Sequence, residues 1–422
     1  MLPVPEHIVK SLNSLFYEFL WGKTDKIKRN VVINDLNKGG LSMIDVASLL
    51  KSVKAAWVPR LINAENDDVW TTIANHYVQY KLYNKVIFKT CFTSKKSLPW
   101  LNNIPVFYQE VLLSYNEAKS LPKDAFEENI FEQCIWANDD IFVVEKEKKK
   151  LLWFKSWLKS DIYYVGDLRF INGILDEQYV YHKVKDKQNI LAEISQIKKA
   201  LRPYKALLQN HTPTPMVVPF VILNDKPIYT FKNAKSKPFY KNMIFSKCER
   251  SRQENFWMTL LNIDRNEFEK CYKNKILSVK DKKLAEFNYK LIHNILPCNK
   301  NLKKWNKVEN SKCRICDVEE SIVHLVLECQ FAKGIWNDLS NKTGTNVNLI
   351  DIIIGQHSIT LNIIVSLISY AIFKEWVDEC FNDKLRSNPG NLKSIENILK
   401  DRANIYKMIG SRDVYDFINE LY

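Results

Sequence analysis

The stretch CRICDVEESIVHLVLEC, residues 313–329, places three cysteines and one histidine in 17 positions of a 422-residue chain with 9 Cys and 7 His. The spacing is Cys313-x2-Cys316-x7-His324-x4-Cys329. Two cysteines two residues apart can grip one ion from a tight turn, and a histidine and a cysteine further along can close the tetrahedron. Three thiolates and an imidazole fill a Zn²⁺ shell with no position open for water. The implied role is therefore structural rather than catalytic, with one zinc per chain. Three other readings compete. A redox Cys-x2-Cys pair belongs at a helix start in a βαβ unit, and no such pattern surrounds this one. A cluster of core cysteines fits poorly with Asp317, Glu319 and Glu320 in the intervening loop. Haem attachment needs a histidine directly after the second cysteine, where Asp317 stands.

Around this stretch the chain reads as helical. EFNYKLIHNIL puts Phe287, Leu291 and Ile295 on one face with Leu284, and a shorter helix after Pro297 carries Leu302 and Trp305. FAKGIWNDLS and the last 70 or so residues continue the helical pattern. Near the start, Ile8, Leu12, Leu15, Phe16 and Phe19 recur at helical spacing, which predicts an amphipathic helix. Asp45 opens another helix, interrupted or kinked at Pro59. Gly39 and Gly40 mark a turn between two short extended pieces, and the proline-rich 210–227 reads as a linker or edge strand. Trp153 and Trp157, four apart among lysines, read as core anchors before they read as a strand-stacking surface. The expected fold is mainly α, multi-helix, with short extended segments near 30–45 and 210–235 and a small zinc knuckle. Four regions are expected, at 1–85, 86–245, 246–345 and 346–422.

The formal charge is +14, from 62 Lys and Arg against 48 Asp and Glu. It is concentrated, for the window 231–310 alone holds 19 Lys and Arg against 8 Asp and Glu. A one-sided excess running into a metal-like motif points to a polyanion, nucleic acid being the commonest. The cations expected to meet phosphate are Lys282, Lys283, Lys290, Lys303, Lys304 and the 232–252 stretch. MLPVPEHIVK has no signal-peptide character, and the apolar run at 359–373 is shorter than a membrane span and contains Asn362, Ser366 and Ser369. A soluble intracellular protein of the cytoplasm or nucleus, with no membrane partner, is expected.

One region resembles a known family. EFNYKLIHNILPCNKNLKKWNKVENSKCRICDVEESIVHLVLECQFAKGIWNDL is similar to the zinc-binding region of LINE-type (non-LTR) retrotransposon reverse transcriptases. The shared positions are Phe287, Lys290, Leu291, His293, Ile295, Leu296, Pro297, Leu302 and Trp305, then Cys313, Cys316, Glu320, His324, Cys329 and Trp336. LNSLFYEFLWGKTDKIKRNVVINDLNKGGLSMIDVASLLKSVKAAWVPRL resembles the segment after the polymerase palm, the thumb-like region. The resemblance implies the C-terminal portion of such an enzyme, with RNA and/or DNA as partners and the polymerase palm of a parent or related element as another.

The departures bear on activity. The family's polymerase holds two Mg²⁺ ions on paired palm aspartates. Here the Asp-Asp pairs are Asp67-Asp68 and Asp139-Asp140, and WANDD lies after the thumb-like region with an extra residue. No enzyme centre, polymerase or nuclease, is therefore expected. Two other readings stand beside a nucleic-acid-binding role: a zinc-stabilised protein-interaction or structural remnant of a retroelement, and a thumb supplied to a separately encoded palm.

Overall fold

The structure, a computed structural model, describes residues 4–22, 25–63, 99–119, 130–210, 235–382, 386 and 389–422, with scattered positions between 69 and 77. It is mostly helical. The chain forms two compact units, one of Met1–Phe16 with Ile44–Lys247 and the other of Tyr17–Met43 with Cys248–Tyr422.

In the first unit, helices Val46–Ala55, Trp57–Asn63, Val106–Lys119 and Ser236–Phe245 pack around Ala55, Val58, Leu112, Tyr115 and Phe239. Asp45 caps the first of these, accepting from the Ser48 N–H at 2.7 Å. The predicted interruption falls earlier than Pro59. The helix stops at Ala55, the residue whose carbonyl a proline four positions on would strike. Lys51 and Lys54 are committed to Glu117 and Glu110. The amphipathic helix Glu6–Trp21 forms as expected, but its apolar stripe is not buried, and Phe19 is 92% exposed.

A second cluster of the same unit surrounds Trp136, Trp157, Ile162 and Ile194. Trp157 is a core anchor, fully buried, donating its indole N–H to Glu193 Oε2 at 2.9 Å. Two small hairpins lie here. Phe142–Glu145 pairs antiparallel with Lys148–Leu151 across Lys146 and Glu147, both at positive φ. Phe170–Ile171 pairs with Ile174–Leu175 across Asn172-Gly173, again both at positive φ. Two positive-φ residues are what a type I′ hairpin turn needs.

In the second unit, helix Ile359–Phe381 runs through the core. It is long and apolar enough to cross a membrane by length and composition, yet Ile364, Val365, Leu367, Ile368, Ala371, Ile372 and Trp376 are all buried. Its polar Ser366 and Ser369 are buried as well, each hydroxyl donating to the carbonyl four residues back, Asn362 and Val365. Helices Arg252–Leu261, Lys282–Ile292, Gln330–Thr343, Glu396–Met408 and Arg412–Glu420 share this core. Trp257 fixes the first to the second, its indole N–H donating to the Ile292 carbonyl at 2.7 Å.

The chain near 30–45 departs from the expected pair of extended pieces. It forms helix Arg29–Val32 and a one-turn 3₁₀ helix, Leu36–Lys38, before doubling back. The return is still hydrogen-bonded across the turn, with Leu41 N–H donating to Val32 and Ser42 N–H to Asn34 carbonyls, each at 2.8 Å. The expected extended segment near 210–235 lies outside the described residues, apart from its two ends. Gly40 permits this close return, because a Cβ there would stand 1.9 Å from the Asn34 carbonyl oxygen. Backbone cannot yield as a side-chain tip can. Gly40→Ala is therefore expected to lower the stability of the second unit by about 2 kcal/mol, read as a drop in thermal midpoint. An unchanged midpoint would contradict the packing described.

Candidate metal centre

Cys313, Cys316, His324 and Cys329 come together, with their ligand atoms all within 4.8 Å of one another. Local backbone geometry explains how. An antiparallel bridge between Lys312 and Glu319 brackets a tight loop, closed by the Cys313 N–H on the Val318 carbonyl at 2.8 Å and the Asp317 N–H on the Cys313 carbonyl at 3.0 Å. Asp317 takes a positive φ of 53° to complete it. Cys313 and Cys316 thus project from one turn.

The other two ligands come from a widened helical turn. The segment His324–Glu328 is π-helical, and the Cys329 N–H donates to the His324 carbonyl at 2.7 Å, an i to i+5 bond. That turn brings residues five apart onto one side, where an ordinary α-helix would rotate them away from each other. Ser321 anchors its start, its hydroxyl accepting from the His324 N–H at 3.1 Å. Cys329 then leaves the turn in an extended conformation and precedes helix Gln330–Thr343, whose first N–H donates to Cys316 Sγ at 3.4 Å.

The distances fit a tetrahedral metal. Zn–S bonds of roughly 2.3 Å at the tetrahedral angle put two sulfurs about 3.8 Å apart. Cys329 Sγ lies 3.8 Å from both Cys313 Sγ and Cys316 Sγ. His324 is buried, and its Nε2 makes no hydrogen bond among the described residues. A buried ring nitrogen without a partner is costly unless something else occupies it. Electrostatics point the same way. The contact with Cys329 holds the Cys313 thiol well below the usual thiol range, and that same contact, together with burial, pushes Cys329 well above it. Three thiols this close cannot all ionise unaided, and a divalent cation removes the conflict.

A surrounding shell ties the loop to its neighbours. Glu320 is fully buried, and its Oε1 accepts the Asn299 N–H at 2.9 Å, at the start of helix Asn299–Lys304. Burial pushes the Glu320 carboxyl up to about 7. The Lys300 N–H donates to the Glu320 carbonyl at 3.1 Å, and Asn299 Nδ2 to the Lys312 carbonyl at 2.9 Å. Trp336, also in the sequence pattern, is buried and donates its indole N–H to the Val326 carbonyl at 2.8 Å.

The expected phosphate contacts divide into groups. Lys282 and Lys283 are exposed in the first turn of Lys282–Ile292, whose cap Asp281 is held by Arg402 at 3.2 Å. Lys290, on the last turn, pairs with Glu286. Lys303 and Lys304 are exposed on Asn299–Lys304. From the 232–252 stretch, Lys247 is taken by Asp45 at 3.0 Å, and Arg250 by Glu254 and Glu269. Arg252 is exposed, and no ion pair engages it among the described residues. Residues 232–234 lie outside the described residues. Asp139 of the WANDD stretch faces Lys149 at 3.2 Å. His293 is no metal ligand. It is buried with Nδ1 3.3 Å from Ser251 Oγ, and burial lowers its basicity to about 4, so it stays neutral near pH 7.

Residues 235–336 match the family model described as zinc-binding in reverse transcriptase. The match spans the ligand cluster and marks the chain as reverse-transcriptase-related. No curated protein matches the chain. The domain type and the four-residue cluster together fit a zinc site.

Because the loop and both flanking helices hang on this cluster, removing a ligand is expected to cost at least about 4 kcal/mol. For a unit of this size that is a fall in thermal midpoint of about 10 °C. Cys329→Ser and prolonged chelation should give the same fall, and chelation should add nothing to the variant. A variant as stable as the wild type would show that no metal is bound there.

Proposed function

We propose that the chain is the nucleic-acid-binding C-terminal part of a LINE-type, non-LTR reverse transcriptase. In this reading Cys313, Cys316, His324 and Cys329 hold one structural Zn²⁺, and a basic surface beside it holds template RNA or target DNA. The observation that carries the reading is the direct coupling of the ligand loop to helix Asn299–Lys304. Glu320, one shoulder of the loop, hydrogen-bonds both the first N–H of that helix and, through its carbonyl, the next. The zinc loop thereby fixes the helix that presents Lys303 and Lys304. Lys282, Lys283 and Lys290 are further contacts from the neighbouring helix, acting through phosphate and so with little sequence preference.

The reading assigns no polymerase or nuclease centre to this chain. Metal-dependent primer extension by the purified protein should yield no product. The thiolate shell needs a reducing compartment, in keeping with an intracellular protein of the cytoplasm or nucleus.

A second reading, a zinc-stabilised interaction remnant, draws support from the uncovered apolar stripe Leu12, Leu15, Phe16 and Phe19. Salt separates the two readings. Five phosphate contacts on a single strand predict a log–log slope near −3.5, so binding should weaken about 100-fold between 50 and 200 mM salt. Fluorescence anisotropy with a labelled oligonucleotide measures this. Absence of binding at low salt would leave the interaction reading in possession.

A further inference from the structure

The second unit contains a cavity of about 190 Å³ whose lining includes five cations, Lys26, Lys28, Arg250, Arg252 and Lys304. No carboxylate lines it among the described residues. Two of the five are neutralised from outside, Lys28 by Glu249 at 2.7 Å and Arg250 by Glu269 at 2.6 Å. The other three are exposed, and no ion pair engages them among the described residues. Trp305 completes the wall, with the Lys26 ammonium 4.9 Å from its ring centroid.

The three unpaired cations come from three separate parts of the chain. Lys26 follows the first helix, Arg252 opens helix Arg252–Leu261, and Lys304 ends helix Asn299–Lys304, whose start Glu320 fixes. Partial burial, and then the charge of Lys290 outside the cavity lining, push the Lys26 ammonium below its ordinary range. Glu249, outside the lining, acts on Arg252 through space as well as pairing with Lys28. A concave site that gathers like charges, has no carboxylate in its lining and offers an aromatic wall is complementary to a phosphate carrying an aromatic base. Its concavity favours a flexible strand, whose nucleotides can turn inward, over a duplex.

We propose that this cavity holds a phosphodiester of single-stranded nucleic acid, with Lys26, Arg252 and Lys304 as cationic contacts and Trp305 as the wall beside the base. The assignment rests on the nucleic-acid-binding reading above and gives it a location. Lys282, Lys283 and Lys303, phosphate contacts of the broader surface, do not line the cavity, so their loss is the comparison for the cavity's own.

The test is anisotropy of the full chain with labelled 20-mer single-stranded RNA, single-stranded DNA and a DNA duplex, across a salt series. Circular dichroism confirms that each variant is folded. The combined Lys26→Ala, Arg252→Ala, Lys304→Ala variant should bind either single strand at least about tenfold more weakly at 100 mM salt. Its salt slope should fall by about 2. The combined Lys282→Ala, Lys283→Ala, Lys303→Ala variant should lose markedly less. Equal losses in the two triples would make the effect one of diffuse charge and overturn the cavity. An unchanged pocket triple, with wild-type binding intact, would overturn the cavity while leaving the broader reading standing. An equal loss on the duplex would overturn the single-strand assignment. A wild type that binds none of the three probes at low salt would sink the broader reading itself.

Discussion

Three cysteines and a histidine whose ligand atoms lie within 4.8 Å of one another can all ionise their thiols only if a cation sits among them. The local structure of residues 299–343 follows from how that condition is met. The Cys-x2-Cys loop, the π-helical turn at His324–Glu328 and the start of helix Gln330–Thr343 are each shaped to deliver a ligand. Asp317, Glu319 and Lys312 are polar and add no core, so the loop rests on the ligand cluster, on Ile315 and Ile322 and on its hydrogen bonds to helix Asn299–Lys304. Glu320 then carries the order outward to Asn299 and the helix behind it.

Magnitudes separate the charges that hold the fold from those left over for a partner. The Arg402–Asp281 pair is mostly buried, so breaking it would strand a charge and cost several kcal/mol. The exposed Lys290–Glu286 pair is worth only about 0.3–0.5 kcal/mol. A phosphate competing for Lys290 therefore meets almost no resistance, whereas the cap of the same helix stays fixed. Lys51, Lys54 and Lys247 are engaged by carboxylates within the first unit, so a raw count of lysines overstates the surface on offer.

Much of this was legible in the residues, and the failures are physical. The Asp45 cap and the Gly39-Gly40 turn follow from local chemistry that acts within a few residues, and the apolar run at 359–373 marks the first part of the buried helix, which continues to Phe381. The ligand set was readable because its spacing is constrained by the ion. The π turn was not, since a five-residue separation looks wrong for one helical face until the wider turn is seen. Asn172-Gly173 carried a hairpin signal in plain view, between Ile171 and Ile174, and was missed. Of the cavity cations, Lys304 and Arg252 (in the 232–252 stretch) stood among the expected phosphate contacts, but Lys26 did not. It is separated from them by long stretches of chain, and only tertiary packing brings it to their wall. The uncovered stripe on Glu6–Trp21 shows the converse limit, for a helical period predicts a face without saying what covers it.

Elemental analysis of the purified, reduced protein tests the central claim most directly, run beside Cys313→Ser and His324→Ala. The account predicts one zinc per chain in the wild type and none in either variant. A folded, reduced wild type without zinc would contradict it.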